Sequence, residues 1–160
     1  MVILIDTREQ APLRFGLDSI LTEARRATLK VGDYQALYKD GSLSETIFER
    51  KTIGDLWSTM ASRQYQRFKR EMVEAKEKGV NLIIIVENPF KDVENGYYRS
   101  RYDGQSMVKK LGTLYFKYGL PTVFTTGREE MARFIKSFFY AEGWHRKRKE
   151  REKKYDNKRG

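Results

Sequence analysis

Two short acidic stretches hold the residues of this 160-residue chain best suited to chemistry. Gly32-Asp33 is followed, 16 residues after Asp33, by Glu49-Arg50-Lys51-Thr52-Ile53-Gly54-Asp55. On a strand alternate side chains share a face, so Glu49 and Lys51 point one way and Arg50 the other. If the Asp33 segment pairs alongside, one face gathers two carboxylates and an ammonium at the end of a sheet. Asp6 and Glu9 follow the apolar run Val2-Ile-Leu-Ile5 and could add two more carboxylates from the tip of another strand. Four carboxylates in a small volume repel one another unless a cation sits among them. Magnesium suits such a set, because it takes oxygen ligands, keeps several waters and is usually held by one or two carboxylates plus a substrate phosphate. The ion can acidify a water and polarise a phosphorus centre. Lys51 would orient that water or offset charge in the transition state. This set points to phosphodiester hydrolysis with Mg2+ or Mn2+ as cofactor.

Composition removes the competing chemistries. The chain has no cysteine, which excludes disulfides, thiolate zinc sites, iron–sulfur clusters and thiol nucleophiles. Its one histidine, His145, lies in a Lys/Arg-rich stretch, so a Ser-His-Asp triad or a multi-histidine metal site is out. The longest aliphatic run is Leu82 to Val86, far below the roughly 20 residues of a membrane span. Met1 to Asp6 does not resemble a signal peptide. The expectation is a soluble, intracellular protein with no membrane partner.

Net charge is +10, which suggests an anionic partner. From Gly143 to Gly160 there are nine Lys/Arg against three Asp/Glu, a net of +6, which leaves +4 for residues 1–142. The stretch has only Trp144 and Tyr155 as large apolar residues. It therefore reads as a basic tail, flexible or weakly helical, with DNA as the usual partner of such an arm. The division expected is a catalytic domain over 1–142 and a tail over 143–160.

The elements that must position the site follow from periodicity. Val2–Ile5 reads as a buried strand and Asp18–Ala27 as a short helix with Ile20, Leu21 and Ala24 on its apolar side. Thr28–Val31, Tyr34–Tyr38 and Thr46–Arg50 read as β-type segments, with a hairpin turn at Asp40-Gly41. Ile53, Leu56, Trp57 and Met60 begin a helical stripe that Tyr65, Phe68, Met72 and Ala75 continue, with a kink near Ala61-Ser62 and a stop at Gly79. A strand over 81–87, a loop over 88–104, a helix marked by Met107, Leu111 and Leu114, a short strand over 122–126 and a helix from Arg128 to about Glu142 complete the chain. Strands and helices alternate after a β-rich start, so the fold class is α/β with a central mixed sheet flanked by helices.

Gly32-Asp33 with Glu49-Arg-Lys-x-x-x-Asp55, preceded by Ile5-Asp6-Thr-Arg8-Glu9, resembles the nuclease motif of the XPF/Mus81/Hef structure-specific endonucleases. These form the ERCC4-type branch of the PD-(D/E)XK superfamily. The resemblance covers about residues 1–140, since 81–87 and 119–134 fit the family's later strands and helix. It implies a restriction-endonuclease-like fold and metal-dependent cleavage of branched, flap or fork-type DNA. Asp33 and Glu49 would be metal ligands and Lys51 the catalytic lysine. Asp6, Glu9, Arg50 and Asp55 would be supporting active-site residues, and Arg8 a contact to nucleic acid. It also implies a homodimer through the C-terminal helices. On the last helix Met131, Phe134, Ile135, Phe138 and Phe139 give an apolar arc broader than one core face requires. Two departures stand out: the sequence holds no tandem helix-hairpin-helix segment, and Arg63 is followed by Gln66 and Arg67 where the family often has a glutamine one turn on.

Two further groups suit DNA. Arg63, Arg67 and Arg70 are spaced i, i+4, i+7 and could track a phosphate backbone, although a solvated face has the same pattern. Tyr98, Arg99 and Arg101 lie in an interleaved loop that suits stacking on unpaired bases. Asp55 could equally cap the helix that follows the motif. The alternatives to a nuclease are an inactive DNA-binding or scaffold subunit of the same fold, or a PD-(D/E)XK nuclease for another nucleic acid.

Overall fold

The computed structural model describes residues 1–16 and 22–156. Six strands form one mixed sheet: β1 (Val2–Asp6), β2 (Glu23–Ala27), β3 (Tyr34–Leu37), β4 (Leu43–Lys51), β5 (Asn81–Val86) and β6 (Thr122–Phe124). Their spatial order is β2-β1-β3-β4-β5-β6. The β1–β3 and β3–β4 pairs are antiparallel, and β1–β2, β4–β5 and β5–β6 are parallel. The C-terminal ends of β1, β4 and β5 and the start of β3 therefore meet at one end of the sheet, where the polar motifs lie.

Five helices cover the two faces: α1 (Ile53–Met60), α2 (Gln64–Glu77), α3 (Phe90–Asn95), α4 (Gly104–Tyr118) and α5 (Arg128–Asp156). Alternation along β5 decides the layering. Leu82, Ile84 and Val86 face a core with Leu56, Met60, Phe68, Met72 and Leu111, whereas Ile83 and Ile85 face Met131, Ile135 and Phe139 of α5. Strand β4 obeys the same rule, with Ile47 in the first core and Phe48 in the second. Glu49 and Lys51 continue the Ile47 side and Arg50 the Phe48 side.

The structure corrects several expectations from periodicity. Glu23–Ala27 is a strand paired in parallel with Val2–Asp6, not a helix end. As an edge strand with almost every side chain exposed it shows neither period, which is why Ala24 looked helical. Residues 18–21 of the expected helix lie outside the described residues. Thr28–Val31 is an irregular connection, and the expected loop over 88–104 contains α3, a short helix with only Val93 buried. The two-part helix is real: α1 and α2 are separate, and Gly79, with φ of 81°, ends the second. Helix α5 runs past Glu142 and through Gly143 to Asp156. Its extra aromatics are largely spent in the core, because Phe134, Phe138 and Phe139 all pack edge-on against Phe48, with centroids 5.3–6.1 Å away.

Candidate active site

The site begins at Gly32. Its φ is 72°, and a Cβ there would meet Ile47 Cγ2 at 2.4 Å. Only glycine fits both the left-handed backbone and that approach to β4. The approach lets the Asp33 N–H donate to Phe48 O at 2.8 Å and brings the Asp33 carboxylate to the Arg50 N–H at 2.7 Å. Asp33 thus lies beside Glu49. Lys51 Nζ donates to Glu49 Oε1 at 2.8 Å and stands 5.1 Å over the Phe68 ring. Asp33, Glu49 and Lys51 are brought together on the face expected from alternation.

Electrostatics make this cluster unusual. Burial pushes the Asp33 carboxyl up, and the neighbouring Glu49 charge pushes it further, to about 7. The Arg50 N–H and Lys51 act in the opposite direction without restoring the ordinary value. Two converging carboxylates with their repulsion only partly offset suit a hard cation that prefers oxygen donors. Asp6 and Glu9 are not part of this pair, although the Glu9 charge also raises the Asp33 carboxyl. Among the described residues no three His, Cys, Asp or Glu side chains form a group able to hold a metal ion. The four-carboxylate cluster expected from sequence is therefore a pair.

Asp6 and Glu9 are engaged elsewhere. Asp6 is buried and accepts from Arg8 Nε at 2.6 Å, the Arg8 N–H at 2.9 Å and the Leu29 N–H at 2.7 Å. Burial raises its pKa, yet these hydrogen bonds outweigh burial and hold the carboxyl below its ordinary range. Asp6 thereby fixes both Arg8 and the connection leading to Gly32. Glu9 lies in a separate network on the other face, where Arg50 donates to Glu9 Oε1 at 3.2 Å, Ala11 O at 3.0 Å and Glu87 Oε2 at 3.0 Å. Asp55 is exposed and completes a capping box with Thr52 at the start of α1.

A cleft of about 620 Å³ opens between this end of the sheet and α2. Asp33 and Glu49 line it together with the cations Arg8, Lys30, Arg67 and Lys78, and Glu71 and Glu74 of α2 border it as well. Arg67 also pairs with Glu71 at 2.8 Å. Arg63, just before α2, and Arg70 on it are exposed but do not line this cleft. Tyr98 is exposed with the Arg99 guanidinium 5.1 Å from its ring centroid, and Arg101 lines a shallow hollow in the same loop. That loop reaches α1 through Tyr97, whose hydroxyl is the nearest atom to a Cβ built on Gly54. Sequence reasoning missed Glu87 and Lys30. Glu87 had a visible signal, since it ends an apolar strand just as Asp6 does, whereas Lys30 enters only through the irregular path to Gly32.

Residues 5–138 match the ERCC4 domain family. The chain belongs to this family. The structure of XPF from Aeropyrum pernix in complex with DNA has the same fold, with a TM-score of 0.65 and 24% identity over 85% of this chain and 62% of that one. A second structure of XPF from Aeropyrum pernix gives a TM-score of 0.63 at 24% identity, covering 86% of this chain and 62% of that one. This chain thus spans less than two thirds of the length of those solved relatives. No curated protein matches it. The ERCC4 match begins at Ile5 and so takes in the Asp6 anchor, the Gly32 approach, the Glu49–Lys51 strand end and the first part of α5, up to Phe138. The fold is restriction-endonuclease-like, with its mixed sheet between helical layers. No described helix is long and apolar enough to cross a membrane.

Proposed function

We propose that this ERCC4-family chain is a Mg2+- or Mn2+-dependent DNA endonuclease that hydrolyses phosphodiester bonds in branched, flap or fork-type DNA. The observation that carries the reading is the convergence of Asp33 and Glu49, with Asp33 pushed up to about 7, beside Lys51 and in a cleft that Arg8, Lys30 and Arg67 also line. Asp33 and Glu49 would hold the divalent ion, which would supply Lewis-acid polarisation of the phosphate and a more acidic water. Glu49 holds Lys51 beside the pair through their 2.8 Å contact, and the Lys51 ammonium neutralises charge developing on the phosphoryl oxygens. Arg8, held by Asp6, and Arg67 on α2 contact the DNA backbone on either side. Arg63, Arg70, Tyr98, Arg99 and Arg101 extend that contact away from the centre. Asp6, Glu9, Arg50 and Asp55 act by positioning.

Cleavage of labelled flap, fork, single-stranded and linear duplex DNA with Mg2+, Mn2+ or EDTA tests the reading. Wild type is expected to cut a branched substrate in either metal and nothing in EDTA. Lys51→Ala is expected to lower the single-turnover rate by roughly 10²- to 10³-fold. Wild type inert on the whole panel, or full activity in Lys51→Ala, would defeat the enzyme reading.

We assign the homodimer contact to the C-terminal helices. Phe116 of α4 is 86% exposed beside the exposed Tyr115, an apolar pair that a second copy would cover. Light scattering at micromolar concentration is expected to give twice the 18.9 kDa chain mass. A monomer mass at that concentration counts against the assignment.

A further inference from the structure

At the end of the sheet opposite Asp33 a groove of about 610 Å³ lies between the β3–β4 turn and the outer part of α5. Tyr38 and Phe139 form its floor, and Tyr140 and Trp144 its rim. The groove is braced, since the Tyr38 hydroxyl donates to Phe139 O at 3.0 Å and Arg146 donates to Leu43 O at 2.8 Å. Gly143 makes it possible. A Cβ there would meet Tyr38 Cε1 at 2.8 Å, so a residue that costs a helix interior about 1 kcal/mol lets the ring lie against the helix.

Two properties select an occupant. Trp144 on the rim is 59% exposed, with the Arg148 guanidinium 5.8 Å from its ring centroid and the His145 ring edge-on at 5.0 Å, which leaves ring surface open to solvent. Charge around it is cationic, with Arg146 stacked 5.0 Å from the Tyr38 centroid and Lys147 alongside. Asp40 and Glu150 line the groove against Lys39, Arg146 and Lys147, and Glu142 and Glu45 also lie near Tyr38, so the cationic excess comes from the outer part of α5. Residues 146–154 carry seven Lys/Arg against two Glu. An aromatic platform next to a row of cations matches a strand with exposed bases and a phosphate backbone. A duplex hides its base faces and would use only the cations.

We infer that the Tyr38–Trp144 groove is a second nucleic-acid site that takes an unpaired strand, stacking a base on Trp144 while Arg146 and Lys147 hold flanking phosphates. From Glu49 back to Leu43 is six residues of β4, or about 20 Å, so a strand seated here is held well away from the reacting phosphate. The inference rests on the nucleic-acid side of the proposed function and not on cleavage.

Trp57 is 2% exposed, so Trp144 is the solvent-facing tryptophan of the two in the chain and a built-in probe. The full chain is titrated in EDTA with an oligo(dT) of about 12 nucleotides, the length range of single-strand sites. Tryptophan emission is expected to fall to saturation. Trp144→Ala should weaken binding, read by anisotropy of labelled oligo(dT), by about 5- to 100-fold, and Trp144→Phe should keep most of the affinity. Arg146→Ala and Lys147→Ala should each reduce the slope of log K against log salt by about 0.7. Unchanged affinity in Trp144→Ala overturns the inference. Equal quenching by a duplex of the same length, or an emission change with protein concentration alone, does so too, the latter by giving the groove to a second copy. Because no metal is present, a chain that cuts nothing but shows Trp144-dependent binding defeats the nuclease reading and leaves this one standing.

Discussion

Replacing Asp33 by Asn is expected to abolish cleavage and, in the same protein, to raise the thermal stability of the metal-free chain. The first effect follows from removing one of two cation-holding carboxylates, and a fall of about a thousandfold or more is the expected scale. The second follows from the same repulsion that makes the site useful. Asp33 ordinarily titrates near 3.8 but is pushed up to about 7 here by burial and then by Glu49. Between those values the folded chain binds more protons than the unfolded chain, so stability falls as pH rises through that window. The favourable contribution is fully present below about 3.8 and gone above about 7. Asparagine keeps an oxygen for the Arg50 N–H and carries no charge. At pH 8 in EDTA the variant should therefore be more stable by on the order of 2 kcal/mol, roughly 5 °C in Tm, with the gap closing toward pH 4. Added Mn2+ should stabilise wild type by about 2.7 kcal/mol at a hundred times Kd, seen as a higher Tm, and leave the Tm of Asp33→Asn unmoved. Calorimetry at three pH values with and without Mn2+ measures all of this. A variant less stable than wild type at pH 8 would show that the carboxylate is a structural acceptor and not one half of a strained pair.

The parts of the site legible in sequence are those fixed by strand alternation. Glu49 and Lys51 share a face because they are two apart on a continuous strand, and their pairing needed no further information. Asp33 was legible through the Gly-Asp step and its spacing to Glu49, and the close approach of Gly32 to β4 is the physical reason a glycine precedes it. Glu9 was misplaced for a definite reason: the chain turns after Asp6, where the Glu9 N–H donates to Asp6 O, and that turn sends the Glu9 side chain toward Arg50. No two-residue period survives a turn. Strand β2 was missed because an edge strand beyond the core carries no burial pattern, so only its pairing with β1 defines it. Asp55 was ambiguous in sequence because a capping box and an active-site acid use the same residue types. Its bonds to Thr52 account for it as a cap.

Arg50→Ala is expected to be the most destabilising single change at this end of the sheet. The guanidinium is 7% exposed and is the shared partner of Glu9 and Glu87, themselves mostly buried. Through Glu87 the network reaches Arg128 at the start of α5, and through Ala11 O the loop after β1. One side chain therefore ties β1, β4, β5 and α5 together behind the catalytic face. Deleting it leaves two carboxylates in a site built for a cation, and breaking a buried pair in this way costs about 3–5 kcal/mol. The expected fall in Tm is roughly 10 °C. Adding Glu87→Gln to Arg50→Ala should return part of that loss, giving a non-additive double-mutant cycle of at least about 1 kcal/mol. The cycle also separates two roles for Arg50. As a positioning residue it should lose cleavage in proportion to unfolding, so that at a temperature where the variant is folded most of the rate survives, with KM for DNA unchanged. A folded Arg50→Ala chain that binds DNA normally and does not cut would instead place Arg50 among the groups that touch the reacting phosphate. The geometry favours the first outcome, because Arg50 lies on the Phe48 face of β4 while Asp33, Glu49 and Lys51 lie on the Ile47 face, with the strand between them.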